Sequence, residues 1–347
     1  MKKIFIIFLL PITIFSKDID QMIGEMLIVG VPGDSVNQKW IKRLREDISN
    51  KRVGGVIFFK RNIKSKKELK RLINFLSPKN LKIKPFIAID EEGGQVSRLF
   101  GIYRSPLRVA NELNLNETHK MYSLLAEELK SYGFNLNFAP VVDLNLEKNS
   151  PAIGAKHRSY SSYEEIVIAY SGEFIRALRE KNIISVIKHF PGHGSALKDS
   201  HKGFVDISNS WNFRELKPYY YFIKNKKVDA IMVGHLYLKQ LDRDNLSTFS
   251  EKTIKGLLRE KLKFNGVVFS DDMLMGAIVK NYTLKEAVIN SINAGIDVLL
   301  FSSYFTKNSS IVNDVTRIIK DAIKDGKIKK EDIIDSYNRI IKLKERL

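Results

Sequence analysis

The 347-residue chain has no cysteine. That excludes a disulfide framework, a thiolate metal site and a thiol nucleophile. It also lacks a glycine-rich phosphate loop after an early strand-like run. Gly30-Val-Pro-Gly33 is a poor match to one, which argues against a doubly wound dinucleotide fold. No serine elbow is present, and no low-complexity tract or internal linker divides the chain. Nucleic-acid motifs are missing, and aromatic residues are not interleaved with the basic runs, so no nucleic-acid partner is expected. Acidic residues are the scarcer charge: 39 Asp and Glu stand against 58 Lys and Arg, a net +19. Most of the excess is scattered lysine on polar helix faces and turns, as at Lys66–Lys67 and at Lys327, Lys329 and Lys330. Such a surface is well solvated and suits attraction to an anionic polymer such as a cell wall.

Long hydrophobic runs are also few. One runs from Ile4 to Phe15, broken only by Pro11 and Thr13, and is short for a membrane span. Lys2 and Lys3 precede it, Ser16 is small, and polar residues follow from Lys17. This is the layout of a secretory signal peptide. Residues 1–16 are therefore expected to be removed, leaving 17–347 with a charge of 19 − 2 = +17 and no stable membrane span. The expected location is periplasmic or extracellular, or cytoplasmic if the segment is not a functional signal. With no cysteine near the cut, a lipoprotein is excluded.

The rest of the chain is patterned. Short runs rich in Val, Ile and Phe alternate with longer amphipathic segments. The runs are Met26–Val29, Val53–Phe59, Phe86–Ile89, Leu136–Val142, Ile183–Phe190, Ala230–Val233, Val267–Phe269 and Val298–Phe301. Continuous apolar runs of this length fit strands covered on both faces. Ser162-x-x-Glu165 and Thr283-x-x-Glu286 read as capping boxes that open helices, and Gly133 and Gly295 as helix stops. Segments 309–324 and 330–346 read as closing helices. Eight strands alternating with helices predict an α/β fold, a single (β/α)8 TIM-type barrel.

In such a barrel the active groups lie at the C-terminal ends of strands. Five successive runs end in Asp90-Glu91-Glu92, Asp143, Lys188-His189, Gly234-His235 and Ser270-Asp271-Asp272. Asp143 by itself reads as a strand-end cap. The richest stretch is Lys188-His-Phe-Pro-Gly-His-Gly-Ser-Ala-Leu-Lys-Asp-Ser-His201, with three of the six histidines. Two chemistries fit. In metal-assisted hydrolysis, His189, His193, His201 and His235 ligate zinc together with Asp199 or Asp271, although an early His-x-His strand end is missing. In glycosyl transfer, a carboxylate lies on one face of a sugar and an acid on the other, with Asp90, Arg98 and Lys188 binding hydroxyls.

Lys188-His-Phe-Pro-Gly-His-Gly194, four residues, then Asp199-Ser-His201 resembles the signature of glycoside hydrolase family 3, in its single-domain bacterial β-N-acetylhexosaminidase branch. Ile89-Asp-Glu-Glu-Gly-Gly-Gln-Val-Ser-Arg98 resembles the second motif, and Phe269-Ser-Asp-Asp-Met273 the third. Gly55-Val-Ile-Phe-Phe-Lys-Arg-Asn62 is a weaker echo. The resemblance covers about residues 20–300. It implies a cofactor-free, retaining β-N-acetylglucosaminidase acting on peptidoglycan-derived muropeptides that contain N-acetylglucosamine. Carried onto this chain, it implies Asp271 as nucleophile, His201 as acid and base, and Asp199 as the partner of His201. Asp90, Arg98, Arg158, Lys188 and His189 then bind the sugar. Ile153-Gly-Ala-Lys-His-Arg158 is two residues longer than the family pattern, so Lys156 is a second candidate for the role of Arg158. Gly192 and Gly194 are expected to let the loop bend over the substrate. His235 is expected at the sugar, His193 in loop packing, Asp272 in a supporting hydrogen bond, and Met273 and Met275 in core or pocket wall. The rivals are an N-acetylglucosaminide phosphorylase, a β-glucosidase, and a non-catalytic wall-binding protein on the same barrel.

Overall fold

The computed structural model describes residues 18–78, 81–306 and 309–347. The expected signal segment at 1–16 lies outside the described residues. Eight parallel strands close into a barrel in sequence order. They are β1 (Leu27–Gly30), β2 (Gly55–Phe58), β3 (Phe86–Ile89), β4 (Leu136–Asn137), β5 (Ile184–Phe190), β6 (Ala230–Val233), β7 (Val267–Asp272) and β8 (Val298–Phe301). Ile28 pairs with both Gly55 and Leu300, which joins the last strand to the first. Helices cover the outside, so the strands are buried on both faces, as their unbroken apolar runs require. Among the described residues no helix is long and apolar enough to cross a membrane.

Local signals set several boundaries. Thr283 and Glu286 form the predicted box, with the Glu286 N–H on Thr283 Oγ1 at 3.2 Å and the Thr283 N–H on Glu286 Oε2 at 2.8 Å. Gly133 and Gly295 end their helices at φ +103° and +105°, a left-handed position that glycine occupies without strain. The Ser162 box does not form. That helix begins at Glu164, whose carboxylate is held instead by Arg214 and Lys217. A tertiary ion pair thus overrides the local cap. Strand β4 is shorter than predicted because Pro140 has no N–H to donate. Pairing resumes beyond it, where Val141 bridges to Lys188.

Two strands are irregular where it matters. The β5–β6 register shifts between Ile187 and Phe190, and the β7–β8 register between Phe269 and Asp272. Bulges of this kind turn the strand and re-aim its side chains. They fall on Lys188–His189 and on Ser270–Asp271. The opposite end of the barrel is closed. There Lys344 is buried, with Nζ on Glu25 Oε2 at 2.5 Å and on Gly54 O at 2.6 Å, above the ring of Phe86.

Candidate active site

A cavity of about 370 Å³ opens at the C-terminal end of the barrel. Asp90, Glu92, Arg98, Lys156, Arg158, Lys188, His189, His201, Asp271 and Asp272 line it, with Phe59, Met232 and Met275 as apolar wall. The structure thus gathers the predicted sugar-binding residues, His201 and Asp271 from the ends of β3, β5 and β7 and from the loops after β3, β4 and β5. Asp199 stands behind His201.

The floor is an ion cluster centred on Glu92. Arg158 donates from Nε and Nη2 to the two Glu92 oxygens, each at 2.8 Å. Lys188 Nζ lies 2.7 Å from Glu92 and 2.8 Å from Asp90. Burial alone would raise the carboxyl of Glu92, but Arg158 and Lys188 outweigh it and hold Glu92 well below the ordinary carboxylate range. Burial would likewise discharge Lys188, and Asp90 with Glu92 more than restores its charge. Glu91 points the other way. Its Oε2 accepts the N–H groups of Arg98 and Leu99, which shapes the turn presenting Arg98. Asn137 of β4 pins Glu91 through both its N–H and its C=O at 2.9 Å.

The longer segment before Arg158 places Arg158 and Lys156 differently in the cavity. A short helical turn, Gly154–Lys156, followed by His157 at φ +55°, takes up the extra residues. Arg158 reaches the buried floor, and Lys156 stays half-exposed beside Asp199 at 3.4 Å.

Asp143 is more than a cap. Its Oδ2 lies 2.7 Å from His189 Nδ1, and its Oδ1 accepts the N–H groups of His189 and His193. Nδ1–H therefore faces Asp143, which leaves Nε2 of His189 toward the cavity.

Asp271 stands at the tip of β7. Burial works against its charge, but His189, His235 and His201 bring its carboxyl down to about 2. It is an anion at neutral pH. Asp272 differs: burial raises it, and Oδ1 accepts the N–H groups of Leu274 and Ser302. It is the supporting residue expected.

His201 sits on the loop after β5, with Nδ1 2.7 Å from Asp199 Oδ1 and its side chain 61% exposed. Nε2 is thereby left free at the cavity. The loop tip rests on the segment after β7: the Gly276 N–H donates to His201 O and the Ala277 N–H to Ser200 O, at 3.2 and 3.1 Å. A Cβ on Gly276 would lie 2.7 Å from His201 O.

One expectation is corrected, one gains a second cause, and one alternative loses its support. His235 is fully buried and joins Thr248 Oγ1 at 2.8 Å and Asp272 O at 3.0 Å, so it braces β7 and does not line the cavity. Gly192 sits at φ +122°, a conformation that favours glycine, and both Gly192 and Gly194 are also closely packed, because added Cβ atoms would meet Glu215 at 2.5 Å and Leu144 O at 1.6 Å. The four histidines do not converge on a zinc position. His193 turns to Ser200 and the other three to Asp143, Asp199 and Thr248. Among the described residues no group of three or more His, Asp or Glu is placed to hold a metal ion. Glu92 and Asp143 were missed as site residues. Both were signalled by a carboxylate just past a strand end, and Glu92 also by its place in the segment Ile89–Arg98.

A barrel whose charged pocket lies beyond its strand ends is an enzyme scaffold, and the pocket here is small and lined mostly by charged and polar side chains. Residues 18–343 match the profile "Glycosyl hydrolase family 3 N terminal domain". A Beta-hexosaminidase of Tolumonas auensis is 37% identical over 265 residues, covering 74% of this chain and 77% of the relative. Beta-hexosaminidase A of Pseudoalteromonas piscicida is 29% identical over 333 residues, covering 88% of this chain and 55% of that one. The solved family 3 beta-N-acetylglucosaminidase of a Paenibacillus species superposes with a TM-score of 0.86 at 28% identity, over 94% of this chain and 62% of that one. The chain thus spans under two thirds of the length of the last two. It belongs to glycosyl hydrolase family 3.

Proposed function

We propose that the protein is a retaining exo-β-N-acetylglucosaminidase that removes terminal N-acetylglucosamine from peptidoglycan fragments. One observation carries the reading: an ionised carboxylate, Asp271, and an imidazole with a free Nε2, His201, face the same small cavity. In the first step Asp271 attacks the anomeric carbon while His201 Nε2–H gives its proton to the departing glycosidic oxygen. Asp199 stabilises the imidazolium before transfer and keeps Nδ1 protonated after it. In the second step neutral His201 takes a proton from water, which displaces Asp271 from the sugar. Two inversions give net retention. Asp90, Arg98, Arg158, Lys188 and His189 bind the ring. The names of the relatives support the substrate class, and the basic surface suits an acidic wall fragment.

Turnover of a 4-nitrophenyl N-acetyl-β-glucosaminide by wild type and Asp271→Asn tests this. The variant is expected to lose roughly a thousand-fold or more; near-normal activity overturns the assignment. An imidazole acid/base does not repel phosphate, so a sugar 1-phosphate formed in phosphate buffer marks the phosphorylase alternative. Export is proposed from Lys2, Lys3 and the run Ile4–Phe15. N-terminal sequencing of the protein recovered from cells tests it, and an intact Met1 in the cytoplasmic fraction speaks against it.

A further inference from the structure

We propose that Glu215 is the positioning residue of the His201 loop, a buried carboxyl group on another element that fixes the root of the segment carrying the acid/base pair. The inference rests on the reading of His201 as proton donor.

Glu215 lies in the helical turn Phe213–Leu216, between β5 and β6 and outside the cavity. It is fully buried, and among the described residues no cation pairs with it. An unpaired buried carboxyl is costly, so it is kept where its hydrogen bonds are needed. All of its side-chain bonds go to one short stretch. The Gly194 N–H donates to Oε2 at 2.8 Å, and the Ser195 hydroxyl bonds Oε1 at 2.7 Å. The stem of Glu215 fills the space over Gly192, where an added Cβ would lie 2.5 Å from Glu215 Cβ. Trp211, four residues earlier, donates from Nε1 to Pro191 O at 3.1 Å. Trp211 and Glu215 together hold residues 191–195.

The other side of that root is equally tight. Gly194 abuts Leu144 O, and the His193 N–H donates to Asp143 Oδ1 at 2.9 Å. The root is held between Asp143, which orients His189, and Glu215. From there His193 Nε2 reaches Ser200 Oγ at 3.2 Å, next to His201. A change at Glu215 therefore moves the imidazole through two short links and leaves Asp271, on β7, in place.

Burial, with a contribution from Asp143, pushes Glu215 up to about 8, against the bonds from Ser195 and Gly194. At neutral pH it is the uncharged acid. Glutamine has the same shape and supplies an oxygen for the Gly194 N–H and an NH₂ for the Ser195 hydroxyl oxygen.

The test compares two N-acetyl-β-glucosaminides in kcat/KM. One has a 2,4-dinitrophenyl leaving group, which departs without a proton; the other has a methyl leaving group, which needs one. His201→Ala sets the reference: a large loss on the methyl glycoside and a small one on the dinitrophenyl glycoside. Glu215→Ala is expected to show the same split, with about 100-fold or more lost on the methyl glycoside and only a few-fold on the other. Glu215→Gln is expected to restore both. If Glu215→Ala does not fold, Ser195→Ala carries the test, with a smaller split in the same direction. Equal losses on both substrates, or no loss, overturn the proposal. If the wild type cleaves neither substrate, the glycosidase reading itself has failed, and this one falls with it.

Discussion

Glu92→Gln is the sharpest single perturbation of the site. It removes one negative charge and almost no volume. The wild-type carboxylate accepts three bonds of 2.7–2.8 Å from two cations. The Arg158 and Lys188 side chains are 8% and 3% exposed, so water cannot take its place. Removing one partner of a buried ion group costs about 3–5 kcal/mol, because the remaining charges stay buried and unpaired. Lys188 keeps Asp90 at 2.8 Å, which places the loss near the lower end, about 3 kcal/mol. At roughly 2 °C per kcal/mol for a chain of this size, the melting temperature falls by about 6 °C. Scanning calorimetry at pH 7 reads this directly. The gap should be nearly the same in low and high salt, since buried pairs are weakly screened. It also has a pH signature. A carboxylate depressed in the folded state stabilises above its unfolded value of 4.5 and loses that contribution as pH falls below it. Wild type and variant therefore converge below pH 4.5. An unchanged melting temperature at pH 7, or a gap that high salt abolishes, would refute the reasoning.

Three further outcomes are expected. Gly276→Ala should lift the loop tip off its seat, since the new Cβ would lie 2.7 Å from His201 O. Activity on alkyl glycosides should fall roughly ten-fold or more with little change in melting temperature, and unchanged kinetics would show that the loop is not seated there. Arg158→Lys loses the paired contact with Glu92, so N-acetylglucosamine should bind about ten-fold more weakly by calorimetric titration; equal affinity contradicts this. Glu215 is raised to about 8 when folded against 4.5 unfolded, so the folded state holds the extra proton and its stability declines as pH rises from 4.5 to 8. Glutamine does not titrate, so the melting-temperature advantage of Glu215→Gln should widen between pH 5 and pH 8, and a constant difference would exclude the raised value.

Features that depend on a few neighbouring residues were legible before any fold was known. The apolar runs predicted all eight strands, with Phe86–Ile89, Ala230–Val233 and Val298–Phe301 matching to the residue. Gly133, Gly295 and the Thr283 box worked because a left-handed cap or a reciprocal hydrogen bond spans only three or four positions. The lysine, histidine and aspartate at the strand ends were visible because barrel topology sends every strand end to one rim. The readings that missed depended on distant partners. Ser162 looked like a cap until Glu164 found Arg214 and Lys217. His235 looked like a sugar contact until Thr248 and Asp272 enclosed it.

By itself, then, the sequence determined the strand and helix order, the end of the barrel that carries the chemistry, and the side chains available there. Periodicity and turn chemistry are short-range, so these can be read along the chain. Tertiary structure alone decided that Arg158 and not Lys156 enters the floor, that Glu92 and Asp271 stay charged, and that Glu215 grips the loop of His201. Each of these is a matter of which groups meet after folding and how much water is left between them, and neither is written in the spacing of residues.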